Sequence, residues 1–279
     1  MLILAMFYQN LMRVAVFIGK KGSEQDCRLA KMLDCLTAGG VQYYMINSDE
    51  GVQENTDMVL SVGGDGTFLS VSKLVSDSGI PVVGVNMGRV GFLSENRPED
   101  VAQALLSGDY TVEDRTLLCA NVVSENDSLF ALNEVTVHRS GAAVMGVDVC
   151  LDGKWLPTYW ADGLIVSTSS GSTAYSLSVG GPIVLPHSRV LLISPIAPHN
   201  LNIRPLVVPD TTEILLRMQS RDGKFVFTAD NVTRELSSDA EIRVSVAQFS
   251  LRRVRLNKSD FINALTEKLF WGEDVRNLK

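Results

Sequence analysis

Residues 58–69 read Met58-Val59-Leu60-Ser61-Val62-Gly63-Gly64-Asp65-Gly66-Thr67-Phe68-Leu69. An apolar strand runs into three glycines set around one aspartate, and a helical pattern follows. Glycines at this density let a backbone turn through φ > 0 and approach a ligand closely, so successive N–H groups can converge on one concavity suited to phosphate. A carboxylate inside such a nest is repelled by phosphate and attracted by a metal ion or a hydroxyl proton. Asp65 therefore points to phosphoryl chemistry beside bound phosphates.

The flanking segments repeat the same logic. Residues 14–18, 41–46, 58–62 and 80–85 are short continuous apolar runs. Between the first two, Ser23-Glu24-Gln25-Asp26 resembles a helix N-terminal box ahead of Leu29, Met32, Leu33 and Leu36, and Gly39-Gly40 ends that helix. Residues 68–75 are helical, and Pro98-Glu99-Asp100 starts a further helix that Gly108 closes. Continuous strands alternating with helices predict an α/β domain with a parallel, Rossmann-like sheet covered on both faces. Ligands bind beyond the carboxyl ends of such strands. Two glycine-rich loops, 63–67 and Asn86-Met87-Gly88-Arg89-Val90-Gly91-Phe92, fall at neighbouring ends.

After about residue 110 the pattern changes. Residues 147–156 turn at Asp152-Gly153 and read as a hairpin, and 221–224 ahead of alternating Phe225 and Phe227 reads as another. Strand-like runs continue at 190–194, 213–217, 242–246 and 249–256, while the small residues of 170–181 suggest a short helix. A last helix, 261–270, carries Phe261, Ala264, Leu265 and Leu269 on one face. The expected organisation is an α/β domain over 1–112, a mostly antiparallel β domain over 113–257, and residues 258–279 packing back on the first domain.

The chain has 279 residues, 46% hydrophobic and 20% charged, which suits a compact protein with a sizeable core. Its formal net charge is -7 and its 25 Lys and Arg are scattered, so a duplex-binding basic face is not expected. The short run Arg252-Arg253-Val254-Arg255 alternates as a solvated strand face would. Cys27, Cys35, Cys119 and Cys150 show no metal spacing and read as buried, reduced thiols of a cytoplasmic protein, and His138, His187 and His199 are dispersed. No run of about 18 uninterrupted apolar residues predicts a transmembrane helix. Residues 1–11 are apolar without a basic n-region, which does not fit a signal peptide; with Met12 just ahead of the first strand, they read as an extension of little fold value.

Other phosphate and hydrolase signatures are absent from the sequence: there is no G-x-x-x-x-G-K-[ST], no G-x-G-x-x-G and no G-x-S-x-G. Asn133-Glu134 lies within a strand-like segment, where only a bend or strand end would turn both side chains to one ligand. Asp162-Gly163 precedes the apolar run 164–166, and residues 167–173, Ser170 among them, supply hydroxyls and a glycine. A helix beginning near Ser172 would offer N–H groups to an anion. Tyr175 fits either the core or a stacking role.

Together these segments resemble the NAD kinases. The resemblance rests on Gly63-Gly64-Asp65-Gly66-Thr67, on the N-M-G-R-V-G-F-L of 86–93, on Asn133-Glu134, on Asp162-Gly163-Leu164, on Gly171-Ser172-Thr173-Ala174-Tyr175-Ser176-Leu177-Ser178 and on Gly180-Gly181-Pro182, with Pro198-His199 and Arg204-Pro205 similar too. It implies an enzyme that transfers the γ-phosphoryl of ATP to the 2′-hydroxyl of the adenosine ribose of NAD, with Mg²⁺. Asp65 would accept the hydroxyl proton, Gly63, Gly64, Gly66 and Thr67 would cradle the phosphates, and Phe92 would lie against NAD. Asn133, Glu134, Asp162, Ser170, Thr173, Ala174, Tyr175 and Ser178 would bind the dinucleotide. Asp230-Asn231 would lie near a second subunit's site in a homotetramer. No residue is singled out as a metal ligand, and no membrane or nucleic-acid partner is implied. Ser169 and Trp160 depart from the family pattern, where proline and a basic side chain are common. The glycine-aspartate loop is shared with diacylglycerol-type lipid kinases, but the chain shows no amphipathic membrane helix, and a non-catalytic NAD-binding regulator would not need Asp65.

Overall fold

The computed structural model describes residues 12–19, 25–88, 91–125 and 127–272. The extension 1–11, Ser23 and Glu24 of the helix box, and Arg89 and Val90 of the second glycine loop lie outside the described residues. Two compact units are present, one running to Asp114 and resuming at Leu251, the other Arg115–Ser250.

The first unit runs β1 (Arg13–Ile18), α1 (Cys27–Ala38), β2 (Gln42–Ile46), β3 (Met58–Val62), α2 (Asp65–Val75), β4 (Val82–Val85), α3 (Pro98–Ser107) and β5 (Tyr110–Arg115). Asp26 caps α1 by accepting the Arg28 N–H at 2.9 Å, and Gly108 closes α3 in the left-handed conformation at φ 73°. Strands β2, β1, β3 and β4 are parallel neighbours in that order. All five residues of β3 are buried, as a strand covered on both faces requires. Leu29, Met32, Leu33 and Leu36 of α1 and Val101, Ala102, Ala104 and Leu105 of α3 fill the core with Leu60, Val83 and Val85. Because β2 and β3 flank β1, the winding direction reverses between β1 and β3. Their carboxyl ends, at Gly19 and Gly63, form the topological switch point where open α/β sheets hold ligands.

The second unit comprises β6 (Leu118–Val122), β7 (Ser128–Ala131), β8 (Glu134–Arg139), β9 (Met145–Leu151), β10 (Lys154–Trp155), β11 (Tyr159–Ala161), β12 (Gly163–Thr168) and α4 (Tyr175–Ser178). It continues with β13 (Val190–Ile196), β14 (Leu206–Pro209), β15 (Ile214–Gln219), β16 (Lys224–Ala229), β17 (Val232–Ser237) and β18 (Glu241–Val246). One sheet is ordered β10-β9-β15-β18-β6-β7, with β11 also on β9, and the other β14-β13-β12-β8-β16-β17. Alternate residues of both, among them Val147, Leu216, Leu164, Phe225 and Phe227, share one apolar core.

Four sequence expectations are corrected. The run after Phe249 becomes β19 (Leu251–Leu256) of the first sheet, parallel to β4, and leads into α5 (Phe261–Leu269). Its arginines are not one solvated face: Arg253 is 3% exposed and ion-paired to Glu95 at 2.5 Å. Residues 221–224 join β15 to β16, which lie in different sheets, so they form no hairpin; the tight turn is Asp230-Asn231, with Asp230 at φ 48°, between paired β16 and β17. Of the cysteines, only Cys150 is buried, since Cys27 and Cys35 fall on the outward face of α1 and Cys119 is half-buried.

Candidate active site

Helix α2 begins at Asp65 itself, three residues earlier than the sequence pattern suggests, so the carboxylate stands in the first turn, where the helix dipole favours a negative charge. Its oxygens face the 92–94 loop. Oδ2 accepts the Phe92 N–H at 2.9 Å, and Oδ1 accepts those of Leu93 at 3.0 Å and Ser94 at 2.9 Å. Two donors on Oδ1 fill its lone pairs, whereas Oδ2 keeps acceptor capacity for an incoming hydroxyl. The approach depends on Gly91, because a Cβ there would overlap the carboxylate. Gly64 and Gly66 are exposed with open space where a side chain would stand, and helical amides at this end lack intrahelical acceptors. Thr67 differs from Gly64 and Gly66: its side chain is wedged against the backbones of Gly19 and Gly63 and holds the turn closed.

The loop that meets Asp65 is pinned from several sides. Asn86 donates to Ser94 O at 2.7 Å and accepts the Gly88 N–H at 2.6 Å, while Arg28 donates to Met87 O at 3.0 Å. From the C-terminal segment, Arg253 donates to Leu93 O at 3.4 Å, and Lys268 donates to Gly91 O and stands 4.1 Å from the centre of the Phe92 ring. Phe92 also meets Phe261, with ring centres 5.9 Å apart.

In the second unit, Asn133 lies in the bend between β7 and β8 and Glu134 opens β8, the bend and strand end that the two side chains need. Asp230 makes that bend: its carboxylate accepts the N–H groups of Leu132 at 2.7 Å, Asn133 at 2.9 Å and Glu134 at 3.1 Å. Glu134 Oε2 is buried without a hydrogen-bond partner. Burial first, and the neighbouring Asp230 charge second, push the Glu134 carboxyl up to about 7. Burial raises Asp230 as well, but three N–H donors oppose it and only the Tyr175 N–H opposes the rise at Glu134, so the pair carries its proton on Glu134.

Asp162 is ion-paired with Arg139 at 2.7 Å at the end of β12. His138 stacks under Tyr175 with ring centres 5.8 Å apart, and burial lowers its pKa against the opposing pull of Asp162. Ser170 and Thr173 lie half-buried in a single 3₁₀ turn, Ala174 joins it to the four-residue α4, and Ser178 ends α4 exposed. No helix N-terminus opens at Ser172, contrary to the expectation from composition. Its hydroxyl is buried and bonded to Ser169 O at 2.8 Å, because short polar side chains satisfy the backbone locally.

Family models of known domains match both parts of the chain. Residues 15–108 match the ATP-NAD kinase N-terminal domain, and residues 132–256 match the ATP-NAD kinase C-terminal domain. The chain belongs to the NAD kinase family. A protein named NAD kinase from Flavobacterium psychrophilum is 42% identical over 243 residues, covering 84% of this chain and 83% of that one. Another from Porphyromonas gingivalis is 38% identical over 286 residues, covering 95% and 99%. Among solved structures, a yeast NADH kinase complexed with NADH superposes with a TM-score of 0.81 at 27% identity, covering 98% of this chain and 92% of that one. An NAD kinase from Archaeoglobus fulgidus in complex with ATP gives 0.76 at 28% identity, covering 92% and 98%.

The two family matches contain Asp65 with its loop, and Asn133, Glu134, Asp162, Tyr175 and Asp230. Arg139 and Lys268 carry no motif in the sequence, Gly91 falls in the second glycine-rich loop with nothing to announce its approach to Asp65, and Arg253 sits in the run that reads as a solvated face; Lys268 lies beyond the matched C-terminal domain. Among the described residues, no group of three or more His, Cys, Asp or Glu side chains could hold a metal ion.

Proposed function

We propose that this chain transfers the γ-phosphoryl group of ATP to the 2′-hydroxyl of the adenosine ribose of NAD, giving NADP. The observation that carries this reading is Asp65, fixed by three amides at the start of α2 with Oδ2 still able to accept a proton. A ribose hydroxyl is a poor nucleophile, and phosphoryl transfer depends on positioning and on neutralising charge. Asp65 Oδ2 takes the hydroxyl proton as the oxygen attacks the γ-phosphorus and the bond to the β,γ-bridging oxygen breaks to release ADP, and the exposed Gly64-Gly66 backbone orients the phosphates. Asn133, Glu134, Asp162, Ser170, Thr173, Ala174, Tyr175 and Ser178 hold the dinucleotide, with Phe92 against it. Asp230 acts by shaping the Asn133-Glu134 bend, beside Asn231.

Mg²⁺ retains several waters and is commonly held by substrate phosphates with one or two carboxylates, so a chain without a dedicated cluster among its described residues still fits it. Bound with the triphosphate, it would supply neutralisation of phosphate charge. We place the enzyme in the cytoplasm, a reading supported by four free thiols, and assign it the homotetrameric state suggested by its family resemblance.

The test adds NAD and Mg²⁺-ATP and detects NADP through an NADP-specific dehydrogenase. Asp65→Asn is expected to lose turnover by about 10²- to 10⁴-fold, the usual range for a general base, while still binding NAD. Near-wild-type turnover in that variant rules out the base role.

A further inference from the structure

The C-terminal helix reaches the catalytic aspartate through the backbone. Phe261, Leu265 and Lys268 follow one another at i, i+4 and i+7 and so share a face of α5. Leu265 is buried, Phe261 packs on the Phe92 ring, and the Lys268 ammonium sits over that same ring at 4.1 Å while donating to Gly91 O. The Gly91 carbonyl and the Phe92 N–H belong to one peptide group, and that N–H donates to Asp65 Oδ2 at 2.9 Å. The relay therefore runs from ammonium to carbonyl, and through one amide plane to the oxygen that faces the hydroxyl. A cation on the carbonyl polarises the amide and strengthens the hydrogen bond its N–H makes. Arg253 repeats the device, donating to Leu93 O at 3.4 Å while the Ser94 N–H of that same peptide donates to Asp65 Oδ1 at 2.9 Å.

We propose that Lys268 is a positioning residue for phosphoryl transfer, holding the 91–94 peptides against Asp65 so that Oδ2 keeps one orientation. This rests on the reading of Asp65 as the base. The Lys268 ammonium meets a backbone oxygen and an aromatic face, an arrangement that fixes a loop. Cation–π contacts of this kind are stronger the more the pair is desolvated, and Lys268 is half-buried. The charged groups around the ammonium are Glu95, Asp65 and Glu267, which favour its charge, and Arg253, which opposes it, and burial as the largest influence draws its pKa down.

The test uses the full chain with NAD and Mg²⁺-ATP. Absence of turnover in the wild type would overturn the kinase reading itself, an outcome distinct from any effect at Lys268. With wild-type turnover in hand, Lys268→Met should lower kcat by about 10- to 100-fold, the cost of a misplaced reacting group, with KM for NAD changed by less than about threefold. Lys268→Arg, which keeps the cation and can reach the same carbonyl, should recover most of kcat. Unchanged kcat in Lys268→Met overturns the proposal, as does an equal loss in both variants that tracks a fall in Tm. A second readout survives even if Lys268→Met fails to fold. Wild-type kcat should fall on the alkaline side as Lys268 loses its proton, and Lys268→Arg should hold its plateau to higher pH. Superimposable alkaline limbs overturn the proposal.

Discussion

The carboxylate of Asp65 rests against the backbone of Gly91 so closely that one methyl group on Gly91 would overlap Oδ1. The obstacle is a carboxylate held by three amides, so it cannot swing aside as the tip of a free side chain would. Gly91→Ala must push either the loop or the aspartate away. Overpacking of this kind costs about 1 to 3 kcal/mol in stability. Because the displaced group is the proposed base, kcat should fall by about 100-fold. Urea unfolding and steady-state kinetics on the same preparation check both, and a variant that keeps kcat would show that Asp65 tolerates the shift.

Asp230 and the Asn133-Glu134 bend are 96 and 97 residues apart in sequence yet joined by hydrogen bonds. Asp230→Ala leaves three inward N–H groups without their acceptor. Hydrogen bonds to a charged group are worth about 1.5 to 3 kcal/mol each, partly recovered by water, so a net loss of about 3 kcal/mol is expected. The 132–134 backbone, which passes from one sheet to the other, should lose its fixed course, and with it the common direction of Asn133 and Glu134. NAD affinity should therefore weaken by at least about tenfold, roughly 1.4 kcal/mol, while kcat at saturation changes less. Calorimetric titration with NAD alone measures this; an intact affinity would mean that the bend is held by its other contacts.

The parallel sheet was readable because its strands are buried on both faces and so appear as unbroken apolar runs. Strand β19 was readable as a strand, but its place in that sheet was not, since Arg252, Arg253 and Arg255 give it the alternation of a half-solvated strand. Burial of Arg253 depends on Glu95 and Glu113, more than a hundred residues away in sequence, and no local pattern announces them. The need for a bend at Asn133-Glu134 could be deduced from strand geometry, but Asp230 as its cause could not. Lys268 looks like any helical surface lysine, because the apolar face legible in the last helix is Phe261, Ala264, Leu265 and Leu269. Around Ser172 the short helix expected from composition is present as a 3₁₀ turn followed by α4, but the Ser172 hydroxyl bonds the local backbone and α4 starts only at Tyr175.

Glu134 should make stability fall with pH. Its folded carboxyl is raised to about 7 from an ordinary 4.5, so between those values the folded protein holds a proton that the unfolded chain releases. The sign follows from linkage: the state with more bound protons is favoured at low pH, so this contribution is lost as pH rises from 4.5 to about 7. At about 1.4 kcal/mol for each pH unit between those two values, the loss is of order 3 kcal/mol. Glu134→Gln, which never ionises, should remove the Glu134 part of that slope in denaturant unfolding measured from pH 5 to 8, leaving only what the raised Asp230 contributes. Donation of a nucleotide hydroxyl to Oε2 would favour the ionised form, so NAD binding near pH 6 should release a proton. Titrations in buffers of different ionisation enthalpy detect it, and Glu134→Gln should abolish the release.

Arg252 and Arg253 are adjacent on β19 and should respond oppositely to truncation. Arg252 is exposed, reaching Gly79 O at 3.1 Å, and Arg252→Met should alter stability by no more than about 0.5 kcal/mol. Arg253 is buried between Glu95 at 2.5 Å and Glu113 at 3.9 Å. Glu113 would keep Arg255 at 2.5 Å after Arg253→Met, but Glu95 would lose that ion pair while mostly buried. Breaking a buried pair from one side costs about 3 to 5 kcal/mol, and the Lys268 charge that still faces Glu95 should hold the loss to the lower end of that range. The double change Arg253→Met with Glu95→Leu removes both charges and should recover a large part of that loss, since an apolar pair of similar volume is often no worse than the ion pair. Equal unfolding midpoints for Arg252→Met and Arg253→Met would contradict the buried network, and a double variant no better than Arg253→Met would mean that the cost lies in packing and not in the stranded carboxylate.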